Sequence, residues 1–167
     1  MADGPRYHMP FRRRREGKTN FRSRLSLVKS KKPRAVVRKS LSGTTVQFIK
    51  FDMNGDLVLA QAGYKDLKKM GWKHSIKDTT ASYLVGLLAG VKAGKSNLNE
   101  AVLDIGLQEP KTGSRVFATL KGMLDAGLDI PHGEGMFPDE DRIFGRHKEI
   151  DGFEDDFVAM KNKILEM

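Results

Sequence analysis

The segment of this chain closest to an enzymatic motif is Ala89-Gly90-Val91-Lys92-Ala93-Gly94-Lys95-Ser96. It has the form of a G-x-x-x-x-G-K-[ST] phosphate loop with alanine in place of the first glycine, and Val102-Leu103-Asp104 resembles the acidic strand that assists Mg²⁺. A phosphate loop must follow a strand and open a helix, so that backbone N–H groups and the helix N-terminus face the phosphates. Here the motif closes an apolar helical pattern, and Asn97 to Glu100 leaves no room for a helix before the next strand. Gly94 with Lys95 therefore reads as a helix C-terminus, glycine supplying a positive φ and lysine meeting the negative end of the dipole. His8, His74, His132 and His147 are isolated, with no i, i+4 pair, and the chain has no cysteine. Metal ligation, zinc ribbons and thiol nucleophiles are thereby disfavoured or excluded. Asp139-Glu140-Asp141 and Glu154-Asp155-Asp156 read as helix N-termini, where acids complement the dipole, rather than as cation sites. No catalytic residue, metal or cofactor is expected.

The densest chemistry is cationic. Arg6, Arg12, Arg13, Arg14, Arg15, Lys18, Arg22, Arg24, Lys29, Lys31, Lys32, Arg34, Arg38 and Lys39 run through the first forty residues, with Tyr7, Phe11, Asn20 and Phe21 among them. Arginine forks onto phosphates and stacks on bases, and aromatic rings stack on unpaired bases, so this composition points to nucleic acid and leans towards structured RNA. Competing readings are a nuclear or membrane address and a solubilising tail. A membrane helix would need a wide continuous apolar face, and this stretch offers only Phe21, Leu25 and Val28. Two further basic patches extend the candidate surface. Lys65, Lys68, Lys69, Trp72, Lys73 and His74 read as a basic loop whose indole either stacks on RNA or plugs the edge of the core. Lys111-Thr112-Gly113-Ser114-Arg115 opens a helix and makes a phosphate seat or an ordinary serine cap.

The elements that must carry these groups follow from periodicity. Gly4, Pro5, Pro10 and the arginine run leave little to bury, so the first dozen residues are expected to be irregular until a partner orders them. Thr19 or Asn20 caps a short helix with Phe21, Leu25 and Val28 on one face, ended by Pro33. Three antiparallel strands follow at 34–39, 44–52 and 57–62, separated by Ser42-Gly43 and Asn54-Gly55. Tyr83, Leu84, Leu87, Leu88 and Val91 make one apolar face of a helix capped by Asp78 or Thr79 and closed by Gly94. Gly86 and Gly90 on it permit close approach to a sheet. Ala101 to Gly106 is a short buried-type strand. Ser114 opens a second helix with Val116, Phe117, Leu120, Met123 and Leu124 inward and Gly127 at its end. Two short amphipathic helices follow, one near 139–147 and one carrying Phe153, Phe157, Met160 and Ile164. The order β-β-β-α-β-α makes a mixed α/β sheet the natural architecture. The expected divisions are a basic arm at 1–33, an α/β core at 34–131 and an acidic helical extension at 132–167.

The 167 residues allow one core with appendages, no apolar run approaches the roughly twenty residues that span a bilayer, and Met1 to Pro10 lacks a signal-type hydrophobic stretch. The absence of cysteine fits a reducing cytoplasm. The net charge of +9 is unevenly spread: residues 1–50 carry +13, residues 51–122 carry +3 and residues 123–167 carry −7. Such asymmetry indicates a polyanionic partner for the first part and either a separate task or a solvated surface for the last.

Five blocks of residues resemble a known family. Arg12-Arg13-Arg14-Arg15-Glu16-Gly17-Lys18-Thr19 and Ala81-Ser82-Tyr83-Leu84-Val85-Gly86-Leu87-Leu88-Ala89 are similar to the eighteenth large-subunit ribosomal protein family, archaeal type. Ala101-Val102-Leu103-Asp104-Ile105-Gly106-Leu107, Thr112-Gly113-Ser114-Arg115-Val116-Phe117 and Asp125-Ala126-Gly127-Leu128-Asp129-Ile130-Pro131-His132 continue the likeness. The resemblance spans nearly the whole chain, loosely over Lys65 to Lys77 and after Gly133; the eukaryotic counterpart is larger. It implies a ribonuclease-H-like fold with a five-stranded mixed sheet and no nuclease activity. It also implies a cytoplasmic ribosomal constituent of the central protuberance that joins 5S rRNA to the large-subunit rRNA beside neighbouring ribosomal proteins, with no membrane or small-molecule substrate. By that analogy the arm, the strand pair with Arg38, Lys39, Ser40, Thr44, Thr45 and Gln47, and the loop with Lys111, Thr112, Ser114 and Arg115 touch RNA. The rival readings are a general nucleic-acid or chromatin binder and an NTPase or metal nuclease.

Overall fold

Alternation of β-branched and aromatic residues organises the centre of the molecule. In the computed structural model, which describes residues 4–148 and 150–167, strand β1 (Arg34–Lys39) pairs antiparallel with β2 (Thr44–Lys50), placing Ala35 against Phe48 and Val37 against Val46. Met1 to Asp3 and Glu149 lie outside the described residues, and with them the first three residues of the expected arm. Strand β3 (Leu57–Gly63) pairs with β2, and the short β4 (Val102–Asp104) runs parallel to β1, giving the order β3-β2-β1-β4. Ala35, Val37, Val46 and Phe48 point to one face and are wholly buried there. The mixed α/β architecture is as expected, with four strands in the described residues rather than the five implied by the family resemblance. The segment beside β4 contributes only one parallel bridge, Glu100 to Asp129. Pro131, which has no N–H to donate, follows two residues later.

The buried face of the sheet is covered by α4 (Thr79–Lys95) and α5 (Arg115–Asp125). Every residue of α4 from Thr80 to Gly90 is buried, so this helix is enclosed on nearly all sides rather than along the single face its spacing predicts. The close approach that Gly86 and Gly90 permit is to α5 and not to the sheet. A Cβ on Gly86 would collide with the Thr119 carbonyl, and one on Gly122 of α5 would collide with the Tyr83 carbonyl. Gly94 does not end α4. The helix runs on to Lys95, and Asn97 takes the left-handed conformation at φ 56°. Gly127, at φ 93°, follows the C-terminus of α5 as expected, and Ser114 stands at its N-cap position, but the serine side chain accepts no capping hydrogen bond.

The segment read as a basic loop begins with a helix, α3 (Tyr64–Lys69), whose start is held by the Asp66 carboxylate accepting from Gly63 N at 3.2 Å. Trp72 is buried, donates from Nε1 to Ser75 O at 3.2 Å and meets Phe153 edge-on, so it closes the core instead of offering a face to RNA. Helices α6 (Glu140–Phe144) and α7 (Phe153–Leu165) form where two amphipathic segments are expected, with a 3-10 turn at Arg146–Lys148 between them. The acidic triplets stand at their N-termini, and Phe153, Phe157, Met160 and Ile164 are all buried.

In the arm, residues 4–11 are irregular, as expected of the first dozen, and a single helical turn, α1, begins at the end of that stretch over Arg12–Arg15. Helix α2 (Phe21–Lys29) is capped by Asn20, whose Oδ1 accepts from Ser23 N at 3.1 Å. It stops before Pro33 comes into play, because Lys31 turns left-handed at φ 60°. Leu25 faces solvent, while Phe21, Leu27 and Val28 are half-buried, so the inward stripe differs from the expected one by Leu27 replacing Leu25.

Candidate nucleic-acid interface

Strand alternation turns Arg34, Val36 and Arg38 to the face of the sheet opposite α4. Two acids meet these arginines. The Asp104 carboxylate of β4 accepts from Arg34 Nη1 at 2.9 Å, Arg38 Nη2 at 3.0 Å and Gly106 N at 2.9 Å. Asp56, in the turn before β3, accepts at a single oxygen from Arg34 Nη2 and Arg24 Nη2, each at 2.7 Å. Arg38 Nη1 also donates to the carbonyls of Asp104 (2.7 Å) and Val37 (2.9 Å), which leaves its guanidinium fixed at the surface. An alternating chain of charge therefore runs from α2 across the sheet: Arg24, Asp56, Arg34, Asp104, Arg38.

Between α2 and the sheet lies a cleft of about 360 Å³, lined from the arm by Arg13, Lys18, Asn20 and Arg24 and from the core by Arg38 and Lys39. Arg13 is oriented by its own loop, Nε donating to Thr19 Oγ1 at 2.8 Å. Arg14, Arg15, Arg22, Lys29, Lys31 and Lys39 are exposed and have no carboxylate partner among the described residues. Arg12 and Lys18 share Glu16, and Lys32 pairs with Glu100 at 2.5 Å, the hydrogen bond raising its pKa. Phe11 is largely exposed and tilts against Phe21, 5.8 Å between ring centroids; Arg6 and Tyr7 are exposed beside the start of α1.

Not every residue singled out from the sequence reaches this surface. Arg34 is 4 % exposed and paired through its two terminal nitrogens with Asp104 and Asp56, its Nε being buried without a partner, so it works as a buried counter-ion. Thr44 is buried, its hydroxyl 2.8 Å from that of Ser82. Ser40 binds its own turn through Gly43 O, and Thr45 and Gln47 lie half-buried, Gln47 Nε2 donating to Gln61 Oε1. The loop of Lys111, Thr112, Ser114 and Arg115 lines none of the arm cleft. Thr112 and Gly113 border a separate cavity of about 400 Å³ with Pro138, Asp139 and Arg142. Lys111 pairs with Glu109, Arg115 donates to Lys77 O at 2.7 Å, and the Ser114 hydroxyl is buried without a hydrogen-bond partner.

The phosphate-loop reading of Ala89–Ser96 meets a helix end, where Lys92 is occupied by Gln61 O and Asp66 Oδ2, each at 3.2 Å. Asp104, its supposed magnesium-binding partner, is enclosed by arginines. Among the described residues there is no cluster of three groups able to hold a metal, and no helix is long and apolar enough to cross a membrane. His74, read as isolated, lies 2.9 Å from the Asp156 carboxylate and against the ring of Phe153. Sequence reasoning missed Asp56 altogether. The available signal was the scarcity of acids: residues 1–50 hold fifteen bases and two acids, so a buried arginine there must borrow a carboxylate from further along the chain.

A family model described as "Ribosomal large subunit proteins 60S L5, and 50S L18" matches residues 5–100 and 91–133. Among curated proteins, one from Methanococcus maripaludis named "Large ribosomal subunit protein uL18" is 52% identical over 147 residues, 88% of this chain and 76% of that protein. A protein of the same name from Methanothermobacter thermautotrophicus is likewise 52% identical over 147 residues, 88% of this chain and 77% of that one. The cationic arm seated on a mixed sheet is thus the form taken here by a shared sequence, and the chain belongs to this family of large-subunit ribosomal proteins.

Proposed function

We propose that this protein is a non-catalytic structural constituent of the large ribosomal subunit, in the cytoplasm, that binds 5S rRNA and ties it to the large-subunit rRNA in the central protuberance. Residues 1–33 serve as the RNA-engaging arm, 34–131 as the body that presents it, and 132–167 as an extension that closes the body. The reading is supported above all by the row of arm cations that lack internal carboxylate partners beside a cleft already lined with Arg13, Lys18, Arg38 and Lys39. Phosphates neutralise such groups and release counter-ions, whereas shape and stacked unpaired bases give selectivity. Phe11 and Tyr7 are the exposed rings placed to stack. Neighbouring large-subunit proteins are further expected partners, and the Lys111 to Arg115 loop is a second, separate RNA contact.

Filter binding to 5S rRNA across a salt series tests this. Replacing Arg12 to Arg15 together by alanine is expected to weaken binding and flatten the log–log salt slope by about three, since each phosphate contact contributes roughly 0.7 to 0.9. The thermal unfolding of the body should be unchanged, because α1 buries no residue. An unaltered slope refutes the arm's role. Competition with random duplex DNA at physiological salt separates this reading from general nucleic-acid binding, which would show no preference for 5S rRNA.

A further inference from the structure

An acid beside an anion-binding surface is a paradox of charge. Asp56 does not line the arm cleft itself but holds two residues that do, Arg24 and Arg34, and its charge by itself repels phosphate. Its geometry supplies the compensation. Asp56 Oδ2 accepts from Arg24 of α2 and from Arg34 of β1, each at 2.7 Å. Among the described residues, Arg24 to Asp56 is the one side-chain hydrogen bond that α2 makes outside the arm, and α2 has no fully buried residue to hold it by packing. Arg34 is in turn fastened to Asp104, which fixes Arg38 on the far side of the cleft.

We propose that Asp56 is a positioning residue for RNA: by holding Arg24 it seats α2 against the sheet, so that Arg13, Lys18, Arg38 and Lys39 face one cleft before RNA arrives. This rests on the RNA-binding reading above. Cations held in register lose less conformational freedom on binding than cations on a swinging arm, and this gain exceeds the repulsion from one carboxylate. The acid acts through Arg24 and Arg34 and touches no RNA in this scheme.

The sign of the effect makes the test sharp. Asp56→Asn raises the net charge of the full chain by one, so charge alone makes it bind 5S rRNA more tightly. Positioning instead makes it bind about three- to fivefold more weakly, the upper part of the range that a partly exposed ion pair spans. Asp52→Asn adds the same charge in the same turn at an exposed residue whose side chain makes no hydrogen bond among the described residues, and should bind as well as or better than the parent. Filter binding of all three chains reads the result, with thermal unfolding confirming that each is folded. An Asp56→Asn chain that binds as tightly as the parent, or more tightly, overturns the proposal.

If Asp56→Asn does not fold, a pair on the surface of α2 decides. Arg24→Gln and Arg22→Gln each remove one cation, but only Arg24 touches Asp56, and it also lines the cleft. A loss for Arg24→Gln about threefold beyond that for Arg22→Gln, with faster chymotrypsin cleavage within α2 in the absence of RNA, supports positioning; equal losses, or unequal losses with equal cleavage, overturn it. A parent chain that fails to prefer 5S rRNA refutes the underlying reading instead, which is a different result from a parent that prefers it and an Asp56→Asn chain that matches it.

Discussion

The basic stretch 1–33 and the acidic stretch 132–167 are similar in length and opposite in charge, and they are held to the body in opposite ways. Helix α2 has no fully buried residue, while α7 buries Phe153, Phe157, Met160 and Ile164 against the body. Three acids of the extension find basic partners within the chain: Arg146 pairs with Asp141 at 3.1 Å and Glu154 at 2.9 Å, and His74 meets Asp156 at 2.9 Å. Basic groups of the extension reach the body as well, Lys148 pairing with Asp78 at 2.6 Å and Lys163 donating to Met70 O at 2.7 Å. Glu134, Asp139, Glu140, Asp151, Asp155 and Glu166 have no such partner among the described residues, nor do most cations of the arm, so charge pairing does not separate the two. Apolar burial makes one appendage part of the body, and its absence leaves the other to be completed from outside.

The strongest way to break this contrast is Phe157→Ala. Phe157 is fully buried beside Tyr83 and Phe144, and its loss should cost about 3–5 kcal/mol by chemical denaturation through lost transfer energy and the cavity left behind. The matching change in the arm, Phe21→Ala, should cost less than about 1 kcal/mol, as half-buried positions do. Equal costs would mean that the arm is as much a part of the body as the extension.

Tyr83→Phe has an intermediate effect. The phenol donates to Asp125 Oδ2 at 2.9 Å from a site 2 % exposed, and the loss of that bond should cost about 1–2 kcal/mol at neutral pH. Burial first, and then the hydrogen bond to Asp125, raises its pKa above the ordinary phenol range. A raised folded-state pKa gives stability that is full below the ordinary value of about 10 and is lost as pH rises from there towards the folded value. The parent should therefore lose stability with alkali in that window, and Tyr83→Phe should lose less of it there. A parallel loss in both proteins assigns the alkaline transition to another group.

The smallest effect is expected for Arg146→Ala. Its carboxylate partners raise its already high pKa, but the whole cluster is exposed, where solvent and salt screen the pairing. No measurable change in thermal unfolding is expected, and none in the salt slope of RNA binding. A clear drop in unfolding temperature would show that the acidic extension needs that neutralisation in order to dock.

Much of this was legible in the residues. Asn54-Gly55 and the β-branched runs around it specify a meander whatever else surrounds them, because local turn chemistry sets register. The stripe from Phe153 to Ile164 likewise declares a docked helix. Less was legible where partners come from distant segments. Trp72 has the same sequence surroundings whether it faces RNA or the core, and only the arrival of Phe153, more than eighty residues later, decides it. Gly86 signals close approach but not the surface approached; the choice of α5 over the sheet depends on Gly122 lying opposite.

The amino-acid sequence by itself determined the opposite charges of the first and last stretches, the alternation of the strands and the absence of thiol chemistry, since composition and short-range periodicity suffice for these. Only the tertiary structure decided which charges are left over. Arg34 and Arg24 are equal entries in a count of cations, yet one is buried between Asp56 and Asp104 and the other is partly exposed on the arm helix. Charge is a property of a residue, but availability is a property of its neighbours, and three of the acids that matter here are brought to their partners from 22 to 70 residues away.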